Sequence, residues 1–336
     1  MKLSIFSVQD HYPWRERTVA ELYRQVLAQG ELADRIGYDT FFVAEHHFHE
    51  YGVVPNPALF LSALAQRTER IRLGTAISIL TFHHPLTIAE NYAMVDMLSE
   101  GRLVLGVGSG YLQHESAGYR IDGATKRDRF DENLGMVERL LKGERVTHEG
   151  LYTSLDAVKI NVGPIQREVP IYLAILRKEA AYHVGRQGRR MLFVPYASVD
   201  DFDEIAELLA EFRRGREEIG LTDHQGAAAI CLHTHVAASD EEARRNAESA
   251  FDLYVETRLY AKRAVYDDVL RSGIHLFGGV ETVAAKLSAL SAMGLDHVLT
   301  LQNFGYMPES EIHRSMRSMF DDVLPLVEAG SAQRAA

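Results

Sequence analysis

Cysteine is almost missing from this chain of 336 residues. Cys231 stands alone, which excludes an internal disulfide and a cysteine-based metal cage and reads as a small core residue. No apolar run approaches the roughly 20 residues that span a bilayer. Basic residues are outnumbered by acidic ones, 36 to 47, for a formal net charge of −11. With no basic stripe, a nucleic-acid or membrane-surface partner is not expected. The opening residues 1–6 read directly as a strand, without the charged start and small-residue cleavage site of a signal peptide, so a cytoplasmic location is expected. Low-complexity linkers and short-period repeats are lacking too.

What is present is a composition of 46% hydrophobic and 25% charged residues, enough for a large core. Short apolar runs alternate with helical patterns, the signature of βα units around a parallel sheet. Strands are expected at 3–8, 40–44, 71–79, 103–107, 170–175, 191–194, 227–236 and 297–301. Helices are expected at 18–36, 57–67, 85–98, 127–141, 178–186, 202–219, 280–293 and 309–327. Asn56 and Pro57 suit a helix start, and Gly37 suits a helix end. Eight strands between helices predict a (β/α)8 barrel, one domain over 1–329, with an extended insertion near 144–162 and a polar helical insertion near 241–275. Residues 330–336 read as a frayed tail.

In such a barrel the chemistry collects on loops after the strands. The most informative is Glu45-His46-His47, a carboxylate and two imidazoles directly after an apolar strand. On an extended segment neighbouring side chains point to opposite sides, so His46 and His47 cannot both aim inward or chelate one ion. One ligand from each of several strands stays open as a metal arrangement, but no metal site is assigned. The other post-strand segments supply His83-His84, Gly108-Ser109-Gly110-Tyr111, Leu176-Arg177-Lys178, Tyr196 and Phe304. They suit a wide mouth that stacks a planar ligand. Three alternating glycines, Gly106, Gly108 and Gly110, lack the spacing of a dinucleotide fingerprint and read as letting a flat ligand approach the backbone.

Taken together, Glu45-His46-His47-Phe48, Leu73-Gly74-Thr75-Ala76, His84-Pro85-Leu86, residues 99–108, residues 129–132, residues 148–152 and residues 277–283 resemble the bacterial luciferase-like flavin-dependent monooxygenases, in order and over nearly the whole chain. The resemblance implies a luciferase-like TIM barrel. It would hold reduced FMN, supplied by a separate flavin reductase, and react it with dioxygen through a flavin peroxide to oxygenate a small organic substrate. It implies His46 as the catalytic base, with Glu45 holding or polarising its surroundings, and a cis peptide at Ala76-Ile77 under the flavin ring.

The phosphate end departs from the family's pattern at Ser109, Leu176 and Arg177. Because a phosphate dianion wants charged forks or helix N-terminal N–H groups, Arg129, Arg177 and Lys178 are the candidates, with Arg177 expected to begin the fifth helix. Gly108, Ser109, Tyr111 and Leu176 complete the expected cofactor contacts. A homodimer through helices of the first half is implied as well. A deazaflavin-dependent hydride-transfer enzyme of the same superfamily and a flavin-binding homologue without turnover are the alternatives.

Overall fold

The chain's alternation of strands and helices closes into a barrel. In a computed structural model that describes residues 1–258 and 264–335, less the side chains of 196 and 331–335, eight parallel strands form the wall. The strands are β1 (Lys2–Ser7), β2 (Thr40–Val43), β3 (Arg72–Ile79), β4 (Leu103–Gly108), then an antiparallel hairpin β5 (Val146–Glu149) and β6 (Ser154–Val158), followed by β7 (Ile171–Ile175), β8 (Arg190–Phe193), β9 (Ala228–Ala237), β10 (Leu276–Gly279) and β11 (His297–Leu301). The barrel runs β1-β2-β3-β4-β7-β8-β9-β11 and returns to β1. β10 is an extra parallel strand on the outer end of β9. It escapes the sequence because its four residues, Leu-Phe-Gly-Gly, give too short an apolar run.

The helices are α1 (Val19–Ile36), α2 (Pro57–Ala65), α3 (Pro85–Leu98), α4 (Gln113–Gly118), α5 (Lys126–Leu141), α6 (Ala180–Arg186), α7 (Pro195–Ser198), α8 (Glu204–Glu217), α9 (Asp240–Glu256), α10 (Tyr266–Ser272), α11 (Val280–Ala292), α12 (Glu309–Ser318) and α13 (Leu324–Ala335). Local chemistry sets their ends. Thr18 and Glu21 close a reciprocal capping box on α1, and Gly37, at φ +113°, ends it with a bond to the Ala33 carbonyl. Asn56 caps α2, whose first residue is Pro57. α6 starts at Ala180, so Arg177 does not begin the fifth helix: residues 177–179 form a turn in which the Arg177 carbonyl accepts the Ala180 N–H. The helical stretch expected near 241–275 contains α9 and α10, and its residues 259–263 lie outside the described ones. α13 continues to Ala335 where a tail is expected, and Ala336 lies outside the described residues. Among the described residues no helix is long and apolar enough to cross a membrane.

Side chains from four strands meet across the barrel axis. The Phe42 ring of β2 lies 6.2 Å from His297 of β11, which lies 6.2 Å from Tyr172 of β7 and bonds Ser4 of β1 at 2.8 Å. β2 and β11 are not neighbours in the sheet, since β1 lies between them, so this contact fixes Phe42 as inward-facing. Period-two alternation then puts Ala44 and His46 on the same side, and Glu45 and His47 on the other.

Candidate active site at the carboxyl ends of the strands

His46 follows β2 in an extended run whose register the Ala44 N–H to Ser7 carbonyl bond (3.1 Å) maintains. Its ring sits 4.6 Å from that of Tyr51 and 6.3 Å from that of Tyr111. The loop folds tightly beneath it: a Cβ on Gly52 would lie 2.7 Å from His46 Cδ2 and 3.0 Å from the Val8 carbonyl, so only glycine passes. His46 Nδ1 lies 3.0 Å from Oε1 of Glu115, a fully buried side chain in α4. The same Oε1 accepts the His47 backbone N–H at 2.9 Å. An oxygen already accepting leaves His46 Nδ1 as the donor, so in the neutral ring Nε2 carries the lone pair.

Glu45, expected to hold or polarise its surroundings, makes no described bond to His46 and bonds other groups. Its Oε1 accepts from His47 Nε2 (3.0 Å) and His83 Nε2 (2.7 Å), and its Oε2 accepts from Ser78 Oγ (3.2 Å) and the Ile79 N–H (2.9 Å). Burial pushes this carboxyl up, but the bonds from His47 and His83, the His83 charge and the Ile79 N–H outweigh it and hold it below its ordinary value. His47 Nδ1 lies 3.2 Å from the Tyr119 hydroxyl, and Tyr119 stacks on Phe82 at 4.7 Å. The two adjacent histidines therefore diverge, His46 to Glu115 and His47 to Glu45.

Ala76-Ile77 is a cis peptide. Beside it β4 comes unusually close: a Cβ on Gly106 would lie 2.1 Å from the Thr75 carbonyl oxygen, and one on Gly108 would lie 2.3 Å from Ile77 Cδ1. Ser109 accepts the Thr81 hydroxyl through its carbonyl.

A cavity of about 1070 Å³ opens at this end, lined by Tyr111, Leu176, Arg177 and Lys178 and by apolar residues of α9 and α10 such as Phe251, Val255 and Val269. It meets the upper end of the about 300–1,000 Å³ usual for small-molecule sites. Tyr111 links its wall to His46. Glu45, His46, Ala76, Ile77, Gly108, Ser109 and Arg129 are not on that wall.

The cationic candidates separate. The Arg177 guanidinium is exposed on the cavity wall, and no described residue bonds it. Lys178, on the same wall, is taken up by an ion pair with Glu207. Arg129 turns away: its guanidinium lies 4.1 Å over the Tyr152 ring of the β5–β6 hairpin and bonds Thr125. Lys126, one turn earlier, reaches the Gly110 carbonyl at 2.8 Å. Burial lowers its pKa against the opposing pull of Glu115. Phe304, an expected mouth residue, is core, packed with Phe251, Tyr254 and Phe277. The Tyr196 side chain lies outside the described residues.

Sequence reasoning missed Glu115, Tyr119 and Lys126. They lie beyond the glycine segment after β4, in a short polar stretch whose pattern gives no sign that Glu115 is buried.

A barrel with a carboxylate-held histidine at the carboxyl ends of its strands and a large cavity beside it defines the class of fold and site. The match to known proteins is specific: the chain belongs to the luciferase-like monooxygenase family, whose model matches residues 1–297. It is 33% identical to the uncharacterized protein y4vJ of Sinorhizobium fredii over 92% of this chain and 93% of that one. It is 25% identical to the oxygenase component of the flavin-dependent trigonelline monooxygenase of Acinetobacter baylyi over 95% and 94%. A third relative, the F420-dependent glucose-6-phosphate dehydrogenase of Microbacterium testaceum, is 37% identical over 48% of this chain and 50% of its own length. Among solved structures, the monooxygenase RslO1 from Streptomyces bottropensis superposes with a TM-score of 0.88 at 29% identity, covering 97% of this chain and 99% of that one. The FMN-bound oxygenating constituent of 3,6-diketocamphane monooxygenase from Pseudomonas putida, at 20% identity, shares the fold with a TM-score of 0.83 over 97% and 98%.

Proposed function

We propose that this oxidoreductase is an FMN-dependent monooxygenase, which takes reduced FMN from a separate flavin reductase and uses dioxygen to oxygenate a small organic substrate. The observation that carries the reading is the buried His46–Glu115 pair, whose imidazole lies 6.3 Å from the ring of Tyr111, itself a residue of the cavity wall. The chain's residues fit the cofactor. Tyr111 offers an aromatic ring at the cavity wall, and the Arg177 guanidinium, which no described residue bonds, supplies a positive charge for a phosphate. When bound, reduced FMN would supply the electrons that activate dioxygen.

In this reading His46 is the proton-transfer group. Glu115 fixes its tautomer and leaves Nε2 as the acceptor. Glu45 is a positioning residue that ties the loop after β2 to the loop after β3. Tyr111 and Leu176 border the ring system, and Ala76, Ile77, Gly108 and Ser109 shape the backbone behind it. Lys178 and Arg129 are given no cofactor role. The trigonelline enzyme's designation as an oxygenase component supports a two-component arrangement with a reductase. A homodimer would use α2 and α3, whose Leu59, Met94, Met97 and Leu98 are exposed.

The F420-dependent relative favours a second reading, hydride transfer with a deazaflavin and no dioxygen. Mixing the protein with reduced FMN, or with reduced F420, under ¹⁸O-labelled dioxygen and a panel of small ketones, aldehydes and aromatics separates them. Gain of one labelled oxygen by a substrate with reduced FMN supports the proposal. Reduction of a substrate by reduced F420, with no labelled oxygen gained, would replace it.

A further inference from the structure

On the side of β2 facing away from His46, two loops bring together a second set of donors, none of which is the proton-transfer group of the proposed reaction. Glu45 and His47 follow β2, and His83 follows β3. Glu45 Oε1, His47 Nε2 and His83 Nε2 lie within 4.8 Å of one another, with the carboxylate oxygen at 3.0 and 2.7 Å from the two nitrogens. We infer that Glu45, His47 and His83 form a binding site for a divalent cation of the zinc type.

Two imidazoles and one carboxylate, with the remaining position open, are a donor set that zinc takes at about 2.0–2.2 Å. The alternation that parts His46 from His47 leaves this arrangement intact, because adjacent strands supply the ligands and the adjacent histidine pair does not. The outer contacts are of the kind that orient metal ligands. Glu45 Oε2 is fixed by the Ile79 N–H and Ser78 Oγ, so Oε1 stays turned toward the two rings. Asn133 holds the turn before His83 by bonding the Leu80 carbonyl at 2.7 Å.

As the site stands, each Nε2–H points at Oε1. A bound cation takes the Nε2 lone pairs; a neutral ring then carries its proton on Nδ1, and a ring protonated on both nitrogens gives up its Nε2 proton. In His47 the Nδ1–H would then donate to the Tyr119 oxygen, now 3.2 Å away. Glu45 and His47 are almost wholly buried, whereas the His83 side chain is 27% exposed, giving an entry route and a place for water as the fourth ligand. The site rests on its own donor geometry, and zinc binding is read without the oxygenase reaction, so the two readings can fail separately.

The test uses the full-length protein, stripped with a chelator and titrated with zinc chloride by calorimetry, with retained zinc counted by elemental analysis after gel filtration. One zinc per chain is expected, and His83→Ala should weaken binding at least about tenfold while His46→Ala retains it. Circular dichroism verifies that each variant folds. Should His83→Ala fail to fold, the visible spectrum of the cobalt-loaded wild type decides: intense tetrahedral bands support the site. Substoichiometric zinc, equal retention by a folded His83→Ala variant, or the pale spectrum of hydrated cobalt would overturn it.

Discussion

His46 Nδ1 and Glu115 Oε1 lie 3.0 Å apart although 69 residues separate them in the chain. The same oxygen holds the His47 N–H, so one buried carboxylate sets both the tautomer of the ring and the path of the backbone behind it. Its second oxygen, Oε2, has no hydrogen-bond partner among the described residues.

Replacing His46 by Ala should lower kcat by about 10²–10⁴, the usual share of a general acid–base group. Glu115→Gln should lower it less and shift the pH profile of kcat, because an amide can still accept from Nδ1 but lacks the charge. Steady-state oxygenation with a coupled reductase reads both. Unchanged kcat in His46→Ala would remove the proton-transfer assignment.

Arg177→Ala should weaken reduced-flavin binding by about 1.5–3 kcal/mol, the range for a charge-assisted hydrogen bond, or roughly ten- to a hundredfold. Arg129→Ala should leave it unchanged, since that guanidinium is stacked on Tyr152. Anaerobic fluorescence titration compares the two, and a larger loss in Arg129→Ala would reverse the assignment.

Gly52→Ala should displace His46, because the added Cβ would lie 2.7 Å from its ring. Gly106→Ala meets a backbone oxygen at 2.1 Å, which cannot rotate away, and should cost about 1–3 kcal/mol of stability. Urea denaturation should therefore show the larger loss at Gly106, and kinetics the larger loss at Gly52.

His235 is 1% exposed, and neither ring nitrogen has a hydrogen-bond partner among the described residues. Burial first, then the Arg314 charge, holds it down to about 4 against the pull of Glu242. In the unfolded chain it titrates near 6.5. Between those values the unfolded state binds more protons, so stability is fully present above about pH 6.5 and falls as pH drops toward 4. The difference is on the order of 3 kcal/mol at full effect. His235→Phe should flatten the curve of denaturation midpoint against pH in that window, and an unchanged slope would exclude this histidine as its source.

Period, caps and composition determined much of this protein. Alternation between strand and helix patterns gave the eight barrel strands, because a buried parallel strand must be apolar along its length whatever packs on it. Gly37, Asn56 and Pro57 marked helix ends because capping is a contact between residues a few positions apart. Period two alone was enough to part His46 from His47.

Only the tertiary structure decided which partner each of them meets. Glu45 stands next to His46 in the chain, yet it serves His47 and His83, while Glu115, far along the chain, serves His46. Arg129 and Arg177 were equal candidates until packing set one on Tyr152 and left the other at the cavity wall. Such pairings depend on where strand-end loops converge once the barrel closes. That convergence brings together residues tens of positions apart, and no local periodicity records it.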